Sequence, residues 1–220
     1  MAGREPEASR GVRVLLLHAW PVDERMWDQQ IAALTDAGFE PVAPRLYGRG
    51  PSIDGWAAQL LDEVEGPFVV VGASMGGYCA LALARRAPER VLGIVLAGSR
   101  AGADSEERRR SRDEQIAALR SEGVPSGVET DVPAEDLAVA QEAIRDRPDA
   151  SGTVGAFGGP LLVSVGDRDD IVSVDEARGI ANAALRGSLE VFAGAGHFLT
   201  TEQPDRFNAV LLEYLSQWQT

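Results

Sequence analysis

A chain of 220 residues with 45% hydrophobic and 25% charged content fits one soluble α/β domain with a sizeable core. Its net charge of −13 argues against nucleic acid and against anionic membrane surfaces, since both call for a basic face. The one cysteine, Cys79, excludes an intrachain disulfide and argues against a cysteine zinc site, while the absence of lysine (all 21 basic residues are arginine) excludes Schiff-base chemistry and a lysine phosphate loop.

Residues 12–17, VRVLLL, form a continuous apolar run, the mark of a buried parallel strand. HAWPVDER follows as a loop. Met26, Ile31 and Leu34 recur at helical spacing over 25–37, and Gly38 ends that helix. A short strand is expected at 40–44, a turn at 46–52, a helix at 53–64, and a break at Gly66-Pro67. FVVVG at 68–72 predicts a strand, 75–87 a helix, and VLGIVLAG at 91–98 another strand. From Ala101 to about Ala156 strands give way to two amphipathic helices, 104–122 and 134–147, around a Gly/Pro/Ser stretch. Residues 101–156 are therefore read as a helical lid inserted into a single domain spanning 1–220, since a piece that short makes a poor core alone. Alternation resumes with a strand at 160–166, a helix near 173–185, a strand at 188–192 and a last helix near 203–217. Six apolar strands alternating with helices predict a mostly parallel sheet covered on both faces. Ligands bind such sheets beyond the carboxyl ends of the strands. The loops that begin at His18, Gly72, Gly98, Gly166 and Gly194 all lie on that edge.

Gly72-Ala-Ser74-Met-Gly76 stands where the strand at 68–72 turns into a helix. Such a turn is sharp and strained, and it lifts the serine hydroxyl above the sheet edge. It also sets the Met75 backbone N–H at a helix N-terminus, where developing negative charge is stabilised. A serine hydroxyl needs a base, and the base needs an orienting acceptor. The chain holds two histidines, His18 and His197. His197, in FAGAGHFLTTEQP, follows the last strand on the same edge and is the candidate base. His18 reads as a buried loop histidine that braces neighbouring turns. VGDRDDIVS offers Asp167, Asp169 and Asp170 as acids on a third loop, or equally a solvated turn with a helix cap. The chain order Ser, Asp, His suits one hydrolase fold.

These motifs, taken in order, resemble the α/β-hydrolase family, in its single-domain esterase, lactonase and perhydrolase forms. HAWP resembles the His-Gly-x-Pro loop, APRLYGRGPS the turn before the second helix, GASMGG the nucleophile elbow, GDRDDIVS the acid loop and GAGHFLTTEQPDRFN the histidine loop. The resemblance implies the α/β-hydrolase fold with Ser74 as nucleophile, His197 as base and Asp169 as acid. It implies backbone N–H groups of Trp20 and Met75 as the oxyanion hole. Ala19, Arg45 and Ser173 depart from the family pattern, and none of them removes a catalytic group. With eleven residues before the first strand, the N-terminal hairpin is expected to be reduced. A short lid implies an open pocket or one completed by a second subunit, a homodimer.

Trp20 and Trp56 are candidates to line the acyl pocket, and Trp218 reads as terminal packing. Cys79 reads as a small core residue. The Glu/Arg run 106–114 reads as a solvated helix face with i, i+4 pairs, although Arg100 or Arg108 could grip a substrate. The expected function is hydrolysis of a carboxylic ester or lactone through an acyl-enzyme, with no metal or organic cofactor. The start of the lid, SRAGADSEERRRSRDEQIAALRSEG, has an enol-lactonase-like cast. The alternatives are a cofactor-free perhydrolase or haloperoxidase, a carbon–carbon bond hydrolase, and a ligand-binding or tailoring protein on the same fold. The polar N-terminus MAGREPEASRG and the lack of a long apolar run predict a cytoplasmic protein with no membrane contact.

Overall fold

The computed structural model describes residues 11–219. Its centre is a six-stranded sheet in the order β2-β1-β3-β4-β5-β6, with every pairing parallel. The strands are β1 (Arg13–Leu17), β2 (Glu40–Val42), β3 (Phe68–Ala73), β4 (Val91–Ala97), β5 (Leu161–Gly166) and β6 (Gly187–Phe192). The helices are α1 (Asp28–Asp36), α2 (Ile53–Glu63), α3 (Met75–Arg86), α4 (Glu106–Glu122), α5 (Ala134–Arg145), α6 (Ser151–Ala156), α7 (Val174–Ala183), α8 (Leu199–Glu202) and α9 (Pro204–Leu215). The six-stranded parallel sheet expected from the strand pattern is observed, and with it the α/β-hydrolase fold that the family resemblance implies. The reduced hairpin expected before β1 falls on residues 1–10, outside the described residues.

Side chains alternate across a strand, so an apolar run must be covered twice. In β1, Leu15 and Leu17 belong to one buried cluster, with Trp56 of α2, Tyr78 and Leu81 of α3 and Ile180 of α7. Val14 and Leu16 belong to the other, with Trp27 and Leu34 at α1 and Phe207, Leu211 and Leu215 of α9. The same alternation carries on through Val69/Val71 and Val70 of β3. The segment between β4 and β5 joins the first cluster through Ile116, Leu119, Leu137 and Ile144.

Three helices start on a serine whose hydroxyl accepts a backbone N–H of the first turn. These are Ser52 for α2 (from Gly55, 3.2 Å), Ser105 for α4 (from Arg108, 3.3 Å) and Ser173 for α7 (from Glu176, 3.1 Å). Ser173, a departure from the family pattern, thus serves as a helix cap. Two features differ from expectation. A one-turn helix, α8, precedes the expected last helix, which is observed as α9 with Pro204 at its start, where the missing N–H costs nothing. The third helix between β4 and β5, α6, is six residues long with two glycines, too short for a periodic signal.

The chain order around β1 reverses direction: β2 lies on one side of it and β3 on the other. At such a point the loops leaving adjacent strands part and open a crevice. The loops after β1 and β3 carry HAWP and Ser74.

Candidate active site

Between β3 and α3 the chain turns within one residue. Ser74 has φ 45° and ψ −107°, the one non-glycine residue with positive φ among those described. Such a conformation costs about 1–3 kcal/mol and persists only where neighbours over-determine it. They do so here. The Ser74 N–H donates to Ala97 O at 2.8 Å, and its carbonyl accepts from Ser99 Oγ at 2.8 Å and from the Gly77 N–H at 3.0 Å. Gly72 and Gly76 are set by close approach: a Cβ on Gly72 would lie 2.5 Å from the Gly76 carbonyl, and one on Gly76 would lie 2.1 Å from Leu17 O. Helix α3 therefore rests directly on the ends of β1 and β3, with the Ser74 side chain held at its N-terminus.

Two other loops bring partners to it. Ser74 Oγ lies 2.9 Å from His197 Nε2, and His197 Nδ1 lies 3.0 and 2.9 Å from the two oxygens of Asp169. Asp169 Oδ1 also accepts the N–H groups of Ile171 (2.8 Å) and Val172 (2.9 Å), so it acts as an acceptor throughout. Its carboxyl is almost shut off from solvent. Burial works to raise its pKa, but the hydrogen bonds from His197 and from the backbone outweigh burial and hold it below the usual carboxylate range. An ionised Asp169 fixes the proton of His197 on Nδ1. Nε2 is then left to accept from the serine hydroxyl. Among the three acids of that loop, Asp169 is the one that reaches the imidazole. Asp167 instead accepts the Gly194 N–H at 2.7 Å and ties the histidine loop to the acid loop.

His18 is fully buried and serves as a brace. Its Nε2 accepts the Leu46 N–H at 2.9 Å, and its Nδ1 lies 2.9 Å from Ala19 O. Those contacts require a neutral ring with the proton on Nδ1. Burial lowers its pKa to about 4, partly offset by the hydrogen bond to Ala19. Trp20, two residues on, lines the cavity in front of Ser74, and its indole N–H donates to Leu137 O of α5 at 3.3 Å. Met75 is the first residue of α3, so its backbone N–H has no acceptor within the helix.

Trp56 corrects an expectation. It does not line the cavity: it is 1% exposed, packed in the core, with its indole N–H donating to Gly50 O at 2.6 Å. The face of α2 that carries it turns inward against α3. Cys79 is buried and its thiol is pushed up to about 12, which leaves it a core residue.

The cavity measures about 400 Å³, and helices α4 and α5 form much of its wall. Arg108 and Arg112 of α4 and Gln141 of α5 line it together with Tyr78 and Arg100. Arg112 and Gln141 went unread in the sequence. The one signal for Arg112 is its i, i+4 spacing from Arg108. The charged run also pairs differently from expectation. Within it Arg112 bonds Asp104 and Asp113 takes Arg145 of α5, while Arg120, further along α4, pairs with Glu135 and Glu142 of α5; among the described residues no carboxylate within α4 pairs with an arginine of α4. No cluster of three or more His, Cys, Asp or Glu side chains among the described residues is arranged to hold a metal ion. No described helix is long and apolar enough to cross a membrane.

A doubly covered parallel sheet, with a strained serine turn and a Ser–His–Asp hydrogen-bonded relay at its carboxyl edge, defines an α/β-hydrolase. The chain belongs to the alpha/beta hydrolase family, whose model matches residues 14–210. It is similar to a thermophilic esterase from Thermogutta terrifontis, with 30% identity and a TM-score of 0.88 over 96% of this chain and 91% of that one. It is 29% identical to 2-hydroxymuconate semialdehyde hydrolase of Pseudomonas sp. (strain CF600), over 81% of this chain and 72% of the relative. It is 37% identical to the pimeloyl-[acyl-carrier protein] methyl ester esterase of Aromatoleum aromaticum, but over 39% of this chain only. The matches to the first curated relatives span 36% and 38% of those proteins' length.

Proposed function

We propose that this chain is a serine hydrolase that cleaves a carboxylic ester or a lactone. Ser74 Oγ attacks the carbonyl carbon while His197 Nε2 takes its proton. Asp169 holds the imidazole in place and stabilises the imidazolium that forms. The oxyanion of the tetrahedral intermediate is received by the backbone N–H groups of Met75 and Trp20, each such donor contributing about 2.7–4 kcal/mol to the transition state. His197 returns its proton to the leaving alkoxide, which departs and leaves an acyl group on Ser74. Water, activated by the same imidazole, then releases the acid and restores the serine.

The observation that carries this reading is the pair of contacts at His197, 2.9 Å to Ser74 Oγ on one side and 2.9 Å to Asp169 on the other. A candidate base must lie within hydrogen-bond reach of the proton it abstracts, and this one does. The likeness to a Thermogutta terrifontis esterase and to pimeloyl-[acyl-carrier protein] methyl ester esterases favours ester cleavage. A second reading, carbon–carbon bond hydrolysis with the same three residues, is favoured by the 29% identity to 2-hydroxymuconate semialdehyde hydrolase.

The test is steady-state hydrolysis of short p-nitrophenyl esters and of lactones by the wild type and Ser74→Ala. The variant is expected to lose at least about 10⁴-fold in kcat, as befits removal of a nucleophile. A Ser74→Ala protein that retains full activity overturns the proposal. A wild type that cleaves meta-ring-fission dienones and no ester selects the second reading.

A further inference from the structure

The protein carries a net charge of −13, yet the cavity wall is cationic. Arg100, Arg108 and Arg112 line it, against the carboxyls of Asp104 and Asp170. Asp104 is already occupied. Its side chain is fully buried, one oxygen taken by Arg112 Nε and the other by Arg147 Nη2 at 2.8 Å. One carboxylate between two guanidiniums leaves a positive charge over. Arg112 Nη1 donates to Gln141 Oε1 at 2.6 Å, so two of its three nitrogens are held by the protein. Its Nη2 has no partner among the described residues. Arg108 lies one turn earlier on the same face of α4, lines the same cavity, and makes no ion pair among the described residues. Arg100 is 7% exposed in its side chain; Nη2 is held by Ile171 O and by Glu176 at 3.2 Å, while Nε and Nη1 are buried without a partner.

We propose that the substrate carries a carboxylate of its own, received by Arg112 and Arg108 while its ester or lactone carbonyl lies at Ser74. This rests on the hydrolase reading above and narrows it to monoesters of dicarboxylic acids and lactones bearing an acid side chain. A guanidinium oriented by two fixed bonds offers its remaining N–H groups with little ordering cost, and a planar fork suits a carboxylate. The charge balance favours a monoanion: Arg100, Arg108 and Arg112 with Arg147 behind them, against Asp104, Asp170 and Glu176, leave one positive charge, which a carboxylate neutralises and a phosphate dianion exceeds. Tyr78, Ile144, Ile171 and Phe198 supply the apolar remainder of a cavity of about 400 Å³, room for a small substrate.

The test compares p-nitrophenyl hydrogen glutarate with its neutral methyl ester, which keeps the same five-carbon acyl chain and differs by one methyl group in place of the charge. The wild type is expected to favour the acid about tenfold in kcat/KM, the equivalent of about 1.4 kcal/mol. That ratio falls toward one in Arg108→Gln/Arg112→Gln, and it falls for the wild type in about 0.5 M NaCl, where exposed charges are screened. Because Arg112 supports buried Asp104, Arg108→Gln alone is measured as well, with a loss of about threefold in the ratio. A wild-type ratio at or below one, or a ratio unmoved in both variants, overturns the proposal while leaving ester hydrolysis intact. Should neither ester turn over, turnover no longer reads the subsite, and calorimetric titration decides it: glutarate binding over glutaramide, weakened by Arg108→Gln, supports it. Equal binding of the two, no binding, or inorganic phosphate bound more tightly than glutarate overturns it.

Discussion

Acidification reads out the His18 brace. The ring accepts the Leu46 N–H at Nε2, so a proton there would set two donors face to face in a buried site. In the folded chain His18 titrates near 4 and in the unfolded chain near 6.5. Between those values the unfolded state binds more protons, so stability is whole above about pH 6.5, falls as pH drops through the window, and levels off below about pH 4. Relative to about pH 7 the loss amounts to about 1 kcal/mol at pH 5.5 and about 2 kcal/mol at pH 4.5. The assay is urea unfolding across that range for the wild type and His18→Gln, whose amide oxygen can still accept from Leu46 but does not titrate. Both proteins share His197 and every carboxylate, so the difference between their profiles isolates His18. The wild type should converge on or fall below the variant as pH drops. Parallel profiles between about pH 7 and pH 4.5 would refute the claim that His18 is held neutral.

Gly76→Ala places a methyl 2.1 Å from Leu17 O, a backbone atom that cannot swing aside, so a loss of at least about 2 kcal/mol in urea unfolding is expected together with displacement of α3. Unchanged stability would contradict the close seating of α3 on β1. Arg147→Met removes one of two partners of buried Asp104 and the cation seated 4.0 Å from the Tyr78 ring centroid. About 3 kcal/mol is expected by thermal unfolding, with partial recovery when Asp104→Leu is added; equal stability of wild type and single variant would count against the network.

The sheet was legible because its signal is local. VRVLLL and FVVV are continuous apolar runs, and such runs bury both faces, as Val14/Leu16 and Leu15/Leu17 do. The serine turn was legible because its glycines are demanded by contacts a few residues apart, Gly72 against Gly76. His18 was legible as a brace, since its loop position left it a bonding rather than a chemical task. Trp56 was misread because periodicity places it on the apolar face of α2 and is silent on whether that face meets α3 or the cavity. The cationic wall was hidden for a different reason. Arg112, Asp104, Gln141 and Arg147 meet through the packing of α4 on α5, across separations of up to 43 residues, which helical spacing does not encode. Asp169 was picked from its neighbours by family resemblance; what distinguishes it physically is that the acid loop turns its carboxylate toward His197 and points Asp167 at Gly194.

The most direct measurement is covalent labelling with a fluorophosphonate followed by peptide mass spectrometry. A hydroxyl activated by His197 and Asp169 should take up one equivalent of probe, with the adduct on Ser74. Labelling should fail in Ser74→Ala and fall sharply in His197→Ala. An adduct on another residue, or full reactivity of Ser74 without His197, would contradict the relay.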